Sequence, residues 1–547
     1  MKNNKILSIF PLITLLLIST SCSETPNEKF SEYYDNSWVL GESALQTNQP
    51  TLKNPIGKFG TLNELRRSQN KVGLPSGGDA NILVVPINFK DDVEIQEAIG
   101  YENDITFTDD DIKGIEETYF NEKNSFGYPS VSSFYKTSSF GKLNLSGVVS
   151  PVVTLPDTYT SYLMKSGTST LLDAYNLIID YVYNYLFVET KTYYIGDFDS
   201  DNDKRVDAIS LVCNYSYSLT FSNTSIDTLH KEFVGPNNVY FSDTIKDINK
   251  TPVNSYSLIA DSFRTPLYLN HDSRLYISLI GQMIGLDCYE DRILNPQSGT
   301  MRAPLGYLDV MSGATGDHNS FSKFQLGWIE PKFIKADDIS DDGLQVTINS
   351  AVTSGESIIL YNNNKSMFGE YLIIDLYNPK KGVNAFDSVN ASAYGKKLFS
   401  RNAVRVYQVD SRLVRGYGNS YASYNEEPKF DELVALPNGE QVSYTYNYAY
   451  TNNSVNNYAS FGFKNYPLVS LLSKNGSNRH LTYYGTELKV NDMFLEGDIF
   501  GANNQINGFY KDFSFHGNGN NNSKLNITFE ITSIQDEQAT ITFRRVK

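Results

Sequence analysis

The pattern of apolar and polar positions changes rhythm once along the chain. In the first half, strand and helix patterns are mixed. Residues 81–89 (NILVVPINF) give the first strong strand signal. Residues 170–187 (TLLDAYNLIIDYVYNYLF) place apolar side chains at helical spacing, with Thr170 as a candidate cap. Residues 207–217 (DAISLVCNYSY) predict another strand. Residues 273–293 (SRLYISLIGQMIGLDCYEDRI) predict an apolar helix running into Gly285-Leu286-Asp287. After Pro331 the runs become short and rich in β-branched and aromatic residues: LQVTINS, ESIILYN, EYLIIDLYN and AVRVYQVD. Near the C-terminal end, Leu525, Ile527, Phe529 and Ile531 alternate with polar residues. Ala539, Ile541 and Phe543 do the same, and Asp536-Glu537 sits in the turn between them, a hairpin pattern. The predicted class is α+β, with one mixed domain over 79–335 and a β-sandwich-type domain over 336–547.

Length and composition extend this picture. A chain of 547 residues is too long for one core, and 40% hydrophobic residues are enough to build more than one. Residues 23–78 are polar, carry Pro26, Pro50, Pro55 and Pro75, and show no sustained period, so they predict an N-terminal tether. Residues 1–22 have the form of a targeting segment: positive charge in MKNNK, a short apolar core, then STSC. Small residues before Cys22 resemble a bacterial lipobox, with Ser19 where leucine is usual. The expectation is a lipidated Cys22 and a chain held at a bacterial cell surface by acyl chains alone; an ordinary signal peptide with an incidental Cys22 is the alternative. A net charge of -16 repels phosphates, so nucleic acid is not an expected partner. Cys213 and Cys288 are the other cysteines, either a pair or two buried thiols.

Two further patterns carry candidate chemistry. In DFDSDNDKRVDA, Asp199, Asp201, Asp203 and Asp207 have the spacing of an EF-hand-like calcium loop. Lys204 stands where that loop has glycine, and Ser210 where it has glutamate, so a solvated acidic turn is the competing reading. In SYTYNYAYT, Tyr444, Tyr446, Tyr448 and Tyr450 fall on one face of a predicted strand. Such a row can stack on a glycan or peptide, or pack half-buried against a second sheet.

Several segments, in order, resemble the M6 family of secreted metallopeptidases, the immune inhibitor A family. They are LPSGGDANILVVPINFKDD, SVSSFYKTSSFGKLNLSGVVSPVVTLP, DFDSDNDKRVDAISLV, DTLHKEF, GYLDVMSGATGDHNSFSKFQLGWIEP, GEYLIIDLYNPKKGVNAFD and RVYQVD. The likeness implies a zincin or metzincin-like domain. In the family, the helix corresponding to 273–293 carries H-E-x-x-H, which places two imidazoles on one face for zinc and a glutamate to activate water. With Gly285 on the family's glycine, Ser278 and Gln282 fall on the histidines and Leu279 on the glutamate. Met311 in LDVMSG resembles the methionine turn beneath such a site. His318 has a counterpart in the family. Gln408 stands where the family usually has histidine, and Asp287 or Cys288 could supply only a third ligand. The resemblance therefore implies a degenerate motif, with zinc not expected and calcium a candidate at the acidic loop. The leading expectation is a non-catalytic surface protein that binds an extracellular peptide, protein or glycan. An active metallopeptidase with non-standard ligands and a purely structural surface protein are the rivals.

Overall fold

The computed structural model describes residues 72–99, 106–121, 129–166, 171–215, 223–234, 238–241, 252–260, 273–287, 308–312, 316–362, 369–385, 400–411, 413–417, 421–425, 432–435, 441–448, 468–475, 490–501, 513–515 and 523–546, together with 61, 63, 289, 305, 306 and 367. Among these residues no helix is long and apolar enough to cross a membrane. The class is mixed α and β, with several sheets.

The first sheet is built on β1 (Gly78–Asn88). Around it run α1 (Asp92–Ile99), α2 (Asp109–Phe120), α3 (Val131–Ser138), β2 (Leu143–Val149), β3 (Val153–Thr154), α4 (Tyr159–Ser166), α5 (Leu171–Tyr183), β4 (Val206–Cys213), α6 (Thr224–Phe233), β5 (Asn238–Phe241) and β6 (Val253–Ala260). The strand order is β2-β1-β4-β6-β5, with β3 beside β1; β5 alone runs antiparallel to its neighbour. Successive side chains of β1 enter opposite cores. Ala80, Ile82 and Val84 enter one, Leu83, Val85 and Ile87 the other, which is why the strand reads as an unbroken apolar run. Helix α5 buries Ala174, Tyr175, Ile178, Ile179 and Val182 in the second core, the stripe that its helical spacing predicts. The helix continues as a π-helical stretch over Asn184–Glu189. Local signals set the starts of other helices: Thr108 and Asp111 form a capping box at α2, and Ser130 accepts from Ser133 N at α3.

The first core also receives α7 (Arg274–Met283), a single turn over Val310–Ser312, and α8 (Ser320–Gln325). The chain then enters a second layer system with β7 (Lys332–Lys335), β8 (Leu344–Asn349), β9 (Ser357–Tyr361), β10 (Glu370–Tyr377) and β11 (Ala403–Asp410). Next come β12 (Leu413–Tyr417), β13 (Tyr421–Asn425), β14 (Glu432–Ala435), β15 (Gln441–Tyr448), β16 (Val469–Leu471) and β17 (Ile499–Phe500). The last elements are β18 (Ser514–Phe515), β19 (Ser523–Lys524), β20 (Ile527–Gln535) and β21 (Gln538–Arg545). The predicted C-terminal hairpin is β20–β21, with Asp536 and Glu537 between the strands.

Two sheets of this part, β16-β11-β10-β9-β7 and β17-β20-β21-β8, share an apolar core. Leu372, Ile374, Val404 and Val406 come from the first; Phe500, Phe529, Ile541 and Phe543 come from the second. The opposite face of β10 contributes Tyr371, Ile373 and Tyr377 to the core that holds α7. The sheet through β10 is thus covered on both sides, and it joins the two halves through packed side chains. Strand β7 pairs with β9, so the second system already begins at Lys332.

Candidate functional site

Helix α7 follows β6 and lies in the first core. Tyr276, Ile277, Leu279, Ile280 and Met283 are all buried there. Ser273 precedes the helix without capping it; its hydroxyl donates instead to the Pro129 carbonyl. The Tyr135 hydroxyl, on α3, donates to the Ile277 carbonyl at 2.6 Å and ties the two helices together. Burial, and then the charge of Asp309, hold the Tyr135 phenol well above its usual range, so it acts as a neutral donor. The helix ends at Met283, and Gly285, just beyond its cap, turns the chain with a φ of 105° that suits glycine; a side chain there would strike the Asn63 carboxamide.

Ser278 and Gln282 are four residues apart and therefore share a helical face. Ser278 is 7% exposed and Leu279 is 1% exposed. Gln282 is half-buried, and its Nε2 is buried with no hydrogen-bond partner. The Met311 sulfur lies against Gly281: a Cβ built on that glycine would come within 2.4 Å of it. The structure thus brings Ser278, Gln282 and Met311 to one short helix and the turn packed on it. The chemistry of the set is limited. Ser and Gln offer neutral oxygens, and Leu279 can neither accept a proton nor bind a metal. Asp287 is half-buried just beyond the helix, Gln408 is half-buried on β11, and Cys288 and His271 lie outside the described residues.

Sequence reasoning missed what holds the methionine turn. Asp309 is fully buried and accepts from Met311 N at 2.7 Å, Asn319 N at 2.8 Å and Ser322 Oγ at 2.7 Å. An aspartate two residues before a tight turn is the signal that could have found it, because its carboxylate can accept the i+2 amide. His318 packs edge-on to Phe134 and tilted to Trp328, with Nδ1 3.4 Å from Asp309 Oδ1. Lys323 and Asp317 form a buried ion pair at 2.5 Å. This network fixes the turn beneath α7 from within the core.

The acidic loop leads into β4. Asp199 Oδ1 accepts from Asp203 N at 3.0 Å, and Oδ2 from Lys204 N at 2.9 Å. Asn202 and Lys204 have φ values of 62° and 70°, so Lys204 adopts the left-handed backbone that glycine supplies in an EF-hand loop. Carboxylate oxygens of Asp199, Asp201 and Asp207 lie within 4.8 Å of one another. Asp203 is not among them; it accepts from Arg205 N at 2.8 Å and Asn254 Nδ2 at 3.0 Å. Asp207 is fully buried at the start of β4. Its Oδ2 accepts from Ser200 N at 2.9 Å, while Oδ1 has no partner. Burial pushes its carboxyl up to about 6; bonds from Ser200 oppose this, and Asp201 and Asp199 add to it. Three converging carboxylates, one of them buried with an unpaired oxygen, suit a hard cation.

Tyr444, Tyr446 and Tyr448 occupy alternate positions of β15, opposite Glu432, Arg415 and Leu413 respectively. Tyr450 and Cys22 lie outside the described residues, and Cys213 is buried at the end of β4. The chain matches no protein-family model and no curated protein.

Proposed function

We propose that the protein is a bacterial surface lipoprotein, anchored through Cys22, that binds an extracellular peptide or glycan without cleaving it. Its first half is read as a zincin-like, M6-peptidase-like domain and its second as a β-sandwich; the core shared by the sheets of β10 and β21 supports the latter. The observation that carries the functional reading is α7 itself. On the M6-like reading Ser278, Leu279 and Gln282 take the ligand and base positions, and the buried, unpaired Gln282 Nε2 is a donor that a ligand carbonyl or hydroxyl would satisfy. Calcium belongs to the same proposal. Asp199, Asp201 and Asp207 would hold it, and the unpaired Asp207 Oδ1 is the structural reason. Bound there, the ion would brace the loop against β4 and take no part in chemistry at α7.

Metal analysis and casein cleavage test this reading on the wild type and on the triple variant Ser278→His, Leu279→Glu, Gln282→His. The wild type should hold no zinc and show no chelator-sensitive cleavage, whereas the triple variant should gain zinc if Asp287 or Cys288 completes the set. Chelator-sensitive cleavage by the wild type would overturn it. Labelled casein peptides should bind the wild type and bind less to Gln282→Leu; equal binding would remove α7 from the site. Cys22→Ser should release the chain from the membrane or block its maturation, and a lipid-modified, membrane-bound mutant would end the anchor proposal.

A further inference from the structure

A second candidate site lies on the β-rich half, away from the residues of α7 and the acidic loop. It is an open cavity of about 770 Å³, within the roughly 300–1,000 Å³ usual for small-molecule sites. Four segments form it: the turn after β10, the residues leading into β11, the β20–β21 turn, and the stretch before β17. Among the described residues, Leu495 and Ile534, both half-buried, provide its apolar lining.

The walls are held by their own hydrogen bonds. Arg401 Nη2 donates to Asn491 Oδ1 at 2.8 Å, and Ile534 N donates to Glu496 Oε2 at 3.0 Å. The Asn402 carboxamide donates to the Asp536 carbonyl and links the start of β11 to the hairpin turn. Lys381 pairs with Glu537 at 3.4 Å. Residues tied in this way are pre-organised, so a ligand would meet a formed surface. Two charged groups on that surface remain uncommitted. Among the described residues, the Lys380 ammonium and the Asp536 carboxylate have no hydrogen-bond or ion-pair partner, although both residues line the cavity.

We infer that this cavity binds a neutral, polyhydroxylated ligand, namely a short oligosaccharide. Among the described residues, the lining holds three cations, Lys380, Lys381 and Arg401, and three carboxylates, Glu496, Asp536 and Glu537. Against this balanced set, an anionic or a cationic ligand would meet as many like charges as opposite ones. An apolar ligand would strip water from charged groups and offer them nothing in return. A sugar hydroxyl both donates and accepts, so it can satisfy an ammonium and a carboxylate placed side by side. Leu495 and Ile534 offer a small surface for the C–H face of a ring. Among the described residues no aromatic side chain lines the cavity, so the affinity is expected from polar contacts.

Calorimetric titration of the full mature chain tests this with cellotetraose, maltotetraose, mannotetraose and chitotetraose, and with tetragalacturonate and a chitosan tetramer as charged controls. At least one neutral oligosaccharide should bind, and more tightly than either control. Lys380→Met and Asp536→Asn should each weaken it ~10-fold or more, because each removes a hydrogen bond to a charged group. Both positions are exposed, and asparagine keeps the left-handed backbone of Asp536, φ 49°, so neither variant threatens the fold. Failure of every neutral probe overturns the inference. So does tighter binding of a charged control, or unchanged affinity in both variants. Gln282→Leu should leave this binding intact, which separates the result from the reading of α7; loss on Tyr446→Ala with neither cavity variant affected would move the glycan to β15 and refute the cavity.

Discussion

Replacing Arg405 by methionine should destabilise the protein by about 3–5 kcal/mol, the usual cost of leaving a buried charge without its partner. Arg405 on β11 and Asp375 on β10 face each other in the ladder and form a two-pronged ion pair, Nε to Oδ1 at 2.7 Å and Nη2 to Oδ2 at 2.9 Å. Arg405 is 2% exposed and Asp375 fully buried, so water cannot take over the role of either. Ser320 of α8 also donates to Asp375 Oδ2 at 2.5 Å, and the guanidinium lies over the rings of Tyr377 and Tyr407. The pair therefore sits where the sheet of β10 meets the first core. In the variant, one hydroxyl would remain to solvate a buried carboxylate. The double variant Arg405→Met, Asp375→Leu removes both charges and leaves only the Ser320 hydroxyl unpaired, at a cost of about 1–3 kcal/mol. It should be more stable than Arg405→Met alone. Urea unfolding followed by the fluorescence of Trp328, which is buried in the same core, reads both. A single variant within about 1 kcal/mol of wild type, or a double variant worse than the single, would refute the argument.

Other perturbations have equally definite outcomes. Calcium should raise the melting midpoint, by about 2.7 kcal/mol of stability at a hundred times its dissociation constant, and Asp207→Asn should abolish the rise; an unchanged midpoint in wild type counts against the loop. Lys204→Gly should relieve the left-handed backbone at φ 70° and gain up to ~1 kcal/mol, less the extra freedom that glycine has when unfolded; a loss in denaturation experiments contradicts this. Asp92 is buried and accepts from Tyr215 Oη and Phe89 N, and burial pushes its carboxyl up from 3.8 to about 7. The folded state then keeps a proton that the unfolded chain loses, so this group's contribution to stability falls as pH rises from about 4 to 7, by on the order of 4 kcal/mol. Asp92→Asn should flatten that part of the stability–pH curve, and an unaltered slope would refute the assignment. Gly281→Ala should be net destabilising: overpacking against Met311 costs about 1–3 kcal/mol, against about 1 kcal/mol of helix propensity gained, and a more stable variant would mean the turn yields freely.

The parts of the fold that were legible in sequence are those with a strong local period. The alternation from Leu525 to Phe543 specified β20–β21, and the spacing in residues 170–187 specified α5, because burial of one face leaves a repeating mark. The expected strand over 207–217 ends at Cys213, and the helix over 273–293 ends at Met283, where Gly285 turns the chain. Long-range events left no such mark. Nothing near Arg405 indicates that Asp375 lies opposite it, since that contact depends on the register of two strands. The acidic loop was legible as a set of four aspartates. The structure gathers three of them, because Asp203 is drawn off by Asn254 on β6, a strand that the loop meets only after folding. The cavity beside β10 was illegible for the same reason: its walls come from four separate segments.

The buried carboxylates differ in how fully the fold satisfies them. Asp309, Asp317 and Asp375 are as deeply buried as Asp207, yet each is matched by donors: backbone amides and a hydroxyl for Asp309, Lys323 for Asp317, Arg405 for Asp375. A group so matched is fully accounted for by folding. Asp207 Oδ1 and Gln282 Nε2 are not. An unmatched buried acceptor or donor costs about 1–3 kcal/mol, a burden the fold bears unless something outside the chain relieves it. The two atoms call for opposite chemistry. The Asp207 carboxylate is grouped with two more, and a proton or a cation relieves it. The amide nitrogen belongs to a helix that shares its face with Ser278, and only an acceptor relieves it. His318 Nε2 is also unmatched, but its ring is enclosed by Phe134, Tyr135 and Trp328, so an outside ligand has no route to it without opening the core. Exposure separates these three: Gln282 is half-buried and Asp199 and Asp201 reach the surface, whereas His318 is 2% exposed, so a ligand can reach α7 and the acidic loop but not the imidazole.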